Sequence, residues 1–186
     1  MGMSLAVRRF TVDEYHRMGE AGILHEDDRV ELLDGQIVQM SPIGIRHAAC
    51  VNRLNALFAG LAGNRATVSV QNPLVLGEYE EPQPDVVVLR YRRDGYQTDH
   101  PRPPDTLLVV EVGDTSVASD RLRKIPLYAR AGVPEAWLVN LSGDEIEVYQ
   151  QPSGGHYTRV RTVRRGETLT LLESPAITLS SDDILG

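Results

Sequence analysis

The sequence predicts an α/β protein of the α+β type, a mixed β-sheet flanked by helices. Three observations carry that expectation. Asp85 to Arg90 and Thr106 to Val112 are near-continuous β-branched runs, the pattern of strands covered on both faces. A helical segment, about Ala118 to Ala131, follows the second run and leads into another apolar strand, Glu135 to Asn140. Asp34-Gly35 separates two short strand-like runs, a strong hairpin signal.

The elements follow in order. Thr11-Val-Asp-Glu14 is a capping-box pattern that opens a short helix through about Met18. Arg29 to Leu33 and Gln36 to Met40 form the hairpin. Ser41-Pro42 precedes a helix of about Ile45 to Leu61, where Val51, Leu54, Leu57, Phe58 and Leu61 recur at helical spacing. Thr67 to Gln71 and Leu74 to Leu76 read as short strands, ahead of the two central runs. The segment after them ends at Gly132, a left-handed C-cap, with Pro134 beyond. Pro126 inside it removes a backbone donor and should kink the helix or mark a restart. Glu135 to Asn140 pairs with Glu145 to Gln150 across Ser142-Gly143-Asp144, and His156 to Val163 and Thr168 to Leu172 supply further strands. No repeat or flexible linker divides the chain, so residues 1–186 are expected to form a single domain.

Composition excludes several classes. At 41% hydrophobic and 24% charged, the chain reads as globular and water-soluble. No apolar run approaches the roughly 20 residues that cross a bilayer, so no membrane partner is expected. The first residues, Met1 to Ala6, show neither a secretory leader nor a myristoylation pattern. One cysteine, Cys50, makes neither an internal disulfide nor a cysteine zinc cage, and a cytoplasmic protein is expected. The net charge of -7 argues against a non-specific nucleic-acid coat, though not against an enzyme touching nucleic acid locally. The 19 basic residues include one lysine, Lys124. Such a ratio mostly reflects coding bias, because arginine serves on most surfaces. It fails where a compact ammonium is required.

The chemistry concentrates around that lysine. If the two central runs pair antiparallel, paired residue numbers sum to about 196, and Asp85 faces Glu111. Two carboxylates so close repel unless a cation lies between them. Hard oxygen donors of this kind suit Mg²⁺. Lys124 lies on the next helix, one turn after Asp120, in the order that favours an ion pair. This constellation suggests metal-assisted hydrolysis of a phosphodiester. For any single strand-end acid, a capping or ion-paired role is the simpler reading; the conjunction of three is harder to set aside.

Pro84-Asp85-Val-Val-Val, Leu107-Leu-Val-Val-Glu-Val112 and Asp120-Arg-Leu-Arg-Lys124 through Tyr128-Ala-Arg-Ala-Gly-Val-Pro-Glu135 resemble the Uma-two family of restriction endonucleases, within the PD-(D/E)xK nuclease superfamily. The hairpin Glu31-Leu-Leu-Asp-Gly-Gln-Ile-Val-Gln-Met-Ser-Pro42 is similar to that family's N-terminal signature. The resemblance implies a restriction-endonuclease-like fold and divalent-metal-dependent cleavage of DNA, with Mg²⁺ or Mn²⁺. It matches Asp85 to the PD acid and Glu111 to the second acid. The superfamily lysine would fall at Gly113, so its role passes to Lys124. Glu31 matches an acid that assists the metal or its surroundings. On this reading Asp85, Glu111 and the Val112 carbonyl hold the metal. Lys124 orients the attacking water or stabilises the phosphorane, leaving a 5′-phosphate, and arginine could not replace it as a proton shuttle.

Other signals carry less. Arg90, Arg92 and Arg93 flank Tyr91 in the loop between the acid-bearing strands and suit either a DNA backbone or a solvated loop. His47 and Cys50, three apart on one helix, could both point at a metal, but with no second pair nearby they read as satisfied or core positions. Glu78 to Glu81 reads as a solvated acidic turn, although a carboxylate there could reach the metal, and Gln71 as a strand terminator or a donor near the site. Arg159, Arg161, Arg164 and Arg165 read as an exposed sheet face. Two alternatives to the nuclease stand: a non-catalytic interaction module that keeps the fold, and a metal hydrolase acting on another phosphodiester. A homodimer is compatible with the central strands.

Overall fold

The computed structural model describes residues 7–25, 27–63 and 65–186, so the Met1–Ala6 stretch read for a leader lies outside the described residues. Thr11 caps the first helix, α1 (Val12–Glu20), with both reciprocal bonds of the capping box formed. The hairpin follows as β1 (Val30–Leu33) and β2 (Gln36–Gln39), with Glu31 opposite Val38. Asp34 and Gly35 have φ of 50° and 72°, as the tight two-residue turn demands. A long helix, α2 (Ile45–Ala62), then leads into β3 (Ala66–Val70).

The two apolar runs become β4 (Val86–Arg90) and β5 (Thr106–Gly113), paired antiparallel with Val86 opposite Val110. Helix α3 (Val117–Ala131) carries the chain across to β6 (Glu135–Asn140), which lies parallel to β5. Parallel neighbours need such a crossover. Antiparallel strands β7 (Glu145–Ser153) and β8 (His156–Arg164) complete a six-stranded sheet of order β3-β4-β5-β6-β7-β8.

Helices cover both faces, which explains the unbroken apolar runs. Cys50, Leu54 and Phe58 of α2 pack on Val86, Val88, Val110 and Trp137. Ile125, Tyr128 and Ala129 of α3 pack on Val87, Leu89, Val109 and Leu138. Each fully buried aliphatic side chain contributes roughly 1.5–3 kcal/mol. A smaller cluster of Val12, Leu32 and Val75 fastens α1 and the hairpin to the loop ahead of β4.

Three expectations need correction. Leu74 to Leu76 is not a strand but part of an irregular loop, where Leu74 N–H donates to Pro82 and Leu76 N–H to Glu80. The segment facing it holds Pro82 and Pro84, which lack the donors a ladder needs. Of the kink or restart expected at Pro126, the restart does not occur, because α3 runs through it as one helix. The carbonyl it leaves without a helical partner belongs to Leu122, which is 76% exposed and open to water. The C-terminal strand is shorter than expected: β9 (Thr168–Thr170) pairs with β10 (Thr178–Ser180) in a separate ribbon. A final helix, α4 (Ser181–Leu185), buries Ile184 against α2, where Arg53 donates to the carbonyls of Ile184 and Leu185. Too short to show a period, β10 and α4 left no trace in the hydrophobic pattern.

Candidate active site

The antiparallel register sets Asp85, immediately before β4, beside the end of β5. Its Oδ2 accepts the Val112 N–H at 2.8 Å and stands 3.0 Å from His47 Nε2. Its Oδ1 accepts the Gln71 side-chain amide at 3.2 Å. Gln71 ends β3 with φ of 51°, a left-handed turn that aims the amide back at Asp85 while its N–H donates to the Asp85 carbonyl. Three elements therefore hold one carboxylate.

Glu111 lies on β5, 2% exposed and facing α3. Lys124 and Tyr128, one helical turn apart on α3, both reach it: Lys124 Nζ is 3.3 Å from Oε1, and the Tyr128 hydroxyl donates to the same oxygen. Lys124 also lies 3.0 Å from Oε2 of Glu31, which accepts the Gln83 N–H at 3.1 Å. The ammonium thus joins β1 to β5. Burial opposes its charge, but the carboxylates of Glu111, Glu31 and Asp120 outweigh that and hold it above the ordinary lysine range.

Gly113 occupies the position where the superfamily pattern puts its lysine. A Cβ there would stand 2.5 Å from Val117 Cγ2 and 2.9 Å from Val117 N, so the first turn of α3 leaves no room for a side chain. The pairing of Asp120 with Lys124 is not formed within 4 Å; Asp120 instead accepts from the Ser116 hydroxyl at 2.7 Å.

Arg90 sits at the far end of β4 from Asp85 and donates to Glu173 and Pro104, while Arg92 pairs with Asp94 over the Tyr96 ring. Neither these two nor exposed Arg93 lines the cleft. Arg29 and Arg123 do, and the sequence reading passed over both. His47 takes the satisfied position open to it: its ring reaches Asp85, and its buried Nδ1 has no partner. Cys50 turns inward, as its core reading expects, and burial pushes its thiol up to about 11.

Glu31, His47, Asp85, Glu111 and Lys124 line a cleft of about 440 Å³ at the ends of β4 and β5. Glu31, Asp85, Glu111, Asp114 and Asp120 contribute acid; Arg29, Arg123 and Lys124 contribute base. Burial pushes the Glu111 carboxyl well above its ordinary range; Lys124 opposes this, and Asp85, Asp120 and Glu31 add to it. Three of these acids, Glu31, Asp85 and Glu111, are buried, and carboxylate oxygens are the hard donors that divalent cations take. The tightest group of metal-ligating side chains among the described residues lies elsewhere, at His16, Glu81 and His100.

A mixed sheet between helices, with Asp85 and Glu111 at the adjoining ends of neighbouring strands and a buried lysine on Glu111, is the arrangement of a nuclease-like protein. The chain matches the model of the Uma2 family, described as "Putative restriction endonuclease", over residues 12–181, and it belongs to that family. Its fold is that of a solved structure titled "a putative nuclease belonging to DUF820 from Anabaena variabilis ATCC 29413". The two share 14% identity over 95% of this chain and 97% of that one, with a TM-score of 0.72. No curated protein matches the chain. Among the described residues, no helix is long and apolar enough to cross a membrane.

Proposed function

We propose that the chain, acting as one domain, is a divalent-metal-dependent DNA endonuclease that hydrolyses phosphodiester bonds. The observation that carries this reading is Lys124 held 3.3 Å from Glu111, on the strand end that also anchors Asp85. Asp85, Glu111 and the Val112 carbonyl would hold Mg²⁺ or Mn²⁺, which neutralises charge on the phosphoryl group and acidifies water.

The remaining steps belong to the protein's own side chains. Lys124, kept charged by its acidic neighbours, orients the attacking water and stabilises charge that builds on the phosphoryl oxygens. Glu31 positions that ammonium. Gln71, His47 and the Val112 N–H fix the Asp85 carboxylate. Water adds in line to phosphorus, the bond to the 3′ oxygen breaks, and a 5′-phosphate and a 3′-hydroxyl remain. Arg29 and Arg123, at the cleft wall, suit the neighbouring backbone phosphates. Cutting both strands of a duplex would take two copies about a two-fold axis.

Incubation with supercoiled plasmid and Mg²⁺ or Mn²⁺ tests this. Nicking that stops with EDTA and in Asp85→Ala is expected; nicking that persists in either overturns the site.

One observation favours a second reading. Lys124 between Glu31 and Glu111 is also a self-sufficient ion-pair cluster, as a non-catalytic module that keeps the fold would have. Calorimetry with Mg²⁺ and Mn²⁺ at neutral pH separates the two, since the module binds neither.

A further inference from the structure

We propose that His16, Glu81 and His100 form a second metal site, for a borderline transition-metal dication such as Zn²⁺. The three come from separate parts of the chain: α1, the loop ahead of β4, and the loop between β4 and β5. Folding nevertheless brings one ligand atom of each to within 4.8 Å of the others. His16 Nε2 is 2.7 Å from Glu81 Oε2, and the His16 and His100 rings are 5.8 Å apart at their centroids.

Two imidazoles and one carboxylate are the donor set of zinc rather than magnesium, which prefers oxygen throughout. Three protein ligands leave a fourth tetrahedral position for water. Zinc–ligand bonds of about 2.1 Å set neighbouring ligand atoms roughly 3.4 Å apart. His100 is exposed and can close that gap by side-chain rotation. The metal would take the place of the direct contact between His16 and Glu81.

The burial of Glu81 is what makes a bare ion pair an incomplete account. It falls in the stretch that composition marks as a solvated acidic turn, yet only 3% of it is exposed. Burial raises its carboxyl above the ordinary range, and the two histidines act against that.

The site also bears on the cleft. Glu81 exchanges both backbone hydrogen bonds with Leu32 of β1, at 2.8 and 3.2 Å, and the next residue back along that strand is Glu31. A metal at Glu81 would therefore clamp α1 and the 91–105 loop onto the strand that positions Glu31 against Lys124.

Zinc titration by calorimetry of the full chain, with the thermal midpoint as a second readout, tests the proposal. One equivalent should bind, and saturation should raise the midpoint by about 5 °C. His100→Ala, a change at an exposed side chain, should weaken binding roughly tenfold or more. The double variant Asp85→Asn, Glu111→Gln should keep the zinc affinity of the parent. Absence of zinc binding, equal affinity in His100→Ala, or loss of the zinc event in the double variant would each overturn it. Because the double variant disables only the cleft, failure of the nuclease reading leaves this outcome distinguishable.

Discussion

Lys124 and Glu31 meet at 3.0 Å, one on the third helix and the other on the first strand, with neither side chain more than 10% exposed. That contact ties the N-terminal hairpin to the end of β5, and it makes Lys124 both a structural cation and the candidate catalytic one.

Replacing Lys124 separates the two roles. Lys124→Ala leaves Glu31 and Glu111 buried without their cation and should destabilise the protein by about 3–5 kcal/mol in urea unfolding. Plasmid nicking should fall by about 10²–10³. Lys124→Arg should recover part of the stability but little activity, because a planar fork replaces a compact ammonium in a tight pocket. Full activity in the arginine variant would remove Lys124 from the chemistry.

Restoring the superfamily spacing should fail. At Gly113 an added Cβ meets Val117 at 2.5 Å, so Gly113→Ala should already cost about 1–3 kcal/mol. Gly113→Lys combined with Lys124→Ala should remain inactive in the nicking assay. Recovered cleavage would show that α3 can move aside.

Asp85 should depend on its anchors. Gln71→Ala and His47→Ala each remove a partner of its carboxylate and should weaken Mn²⁺ binding about 10- to 100-fold by calorimetry. The thermal midpoint should change far less than in Lys124→Ala. Unchanged affinity in both variants would show that the Val112 N–H alone suffices.

Acid stability should report on Glu147, which accepts hydrogen bonds from Arg121 and Tyr149. Burial raises its carboxyl, but those bonds outweigh burial and hold it below its ordinary value of 4.5. A carboxyl lowered on folding contributes stability that is complete above the ordinary value and is lost as pH falls through the lowered one. Below pH 4.5 the thermal midpoint of the parent should therefore drop more steeply than that of Glu147→Gln. Parallel curves would deny Glu147 that role.

Legibility in the sequence varied with the range of the interaction. The capping box at Thr11, the Asp34-Gly35 turn and the Gly132 cap are local, and each stands where its residues indicate. The register of Asp85 against Glu111 was readable because two uninterrupted apolar runs joined by one loop leave few ways to pair. Pro82 and Pro84, by contrast, spoiled the strand expected at Leu74, and β10 and α4 were too short to announce themselves.

What the sequence determined alone is the sheet and the candidates, Asp85, Glu111 and the one lysine, because period, cap chemistry and residue type are properties of neighbours along the chain. Tertiary structure decided the partners. It sent Lys124 to Glu31 rather than to Asp120, brought His47 and Gln71 to Asp85, and gathered His16, Glu81 and His100. Those choices depend on which buried charges can be satisfied together once the helices lie on the sheet, and no spacing along the chain encodes that.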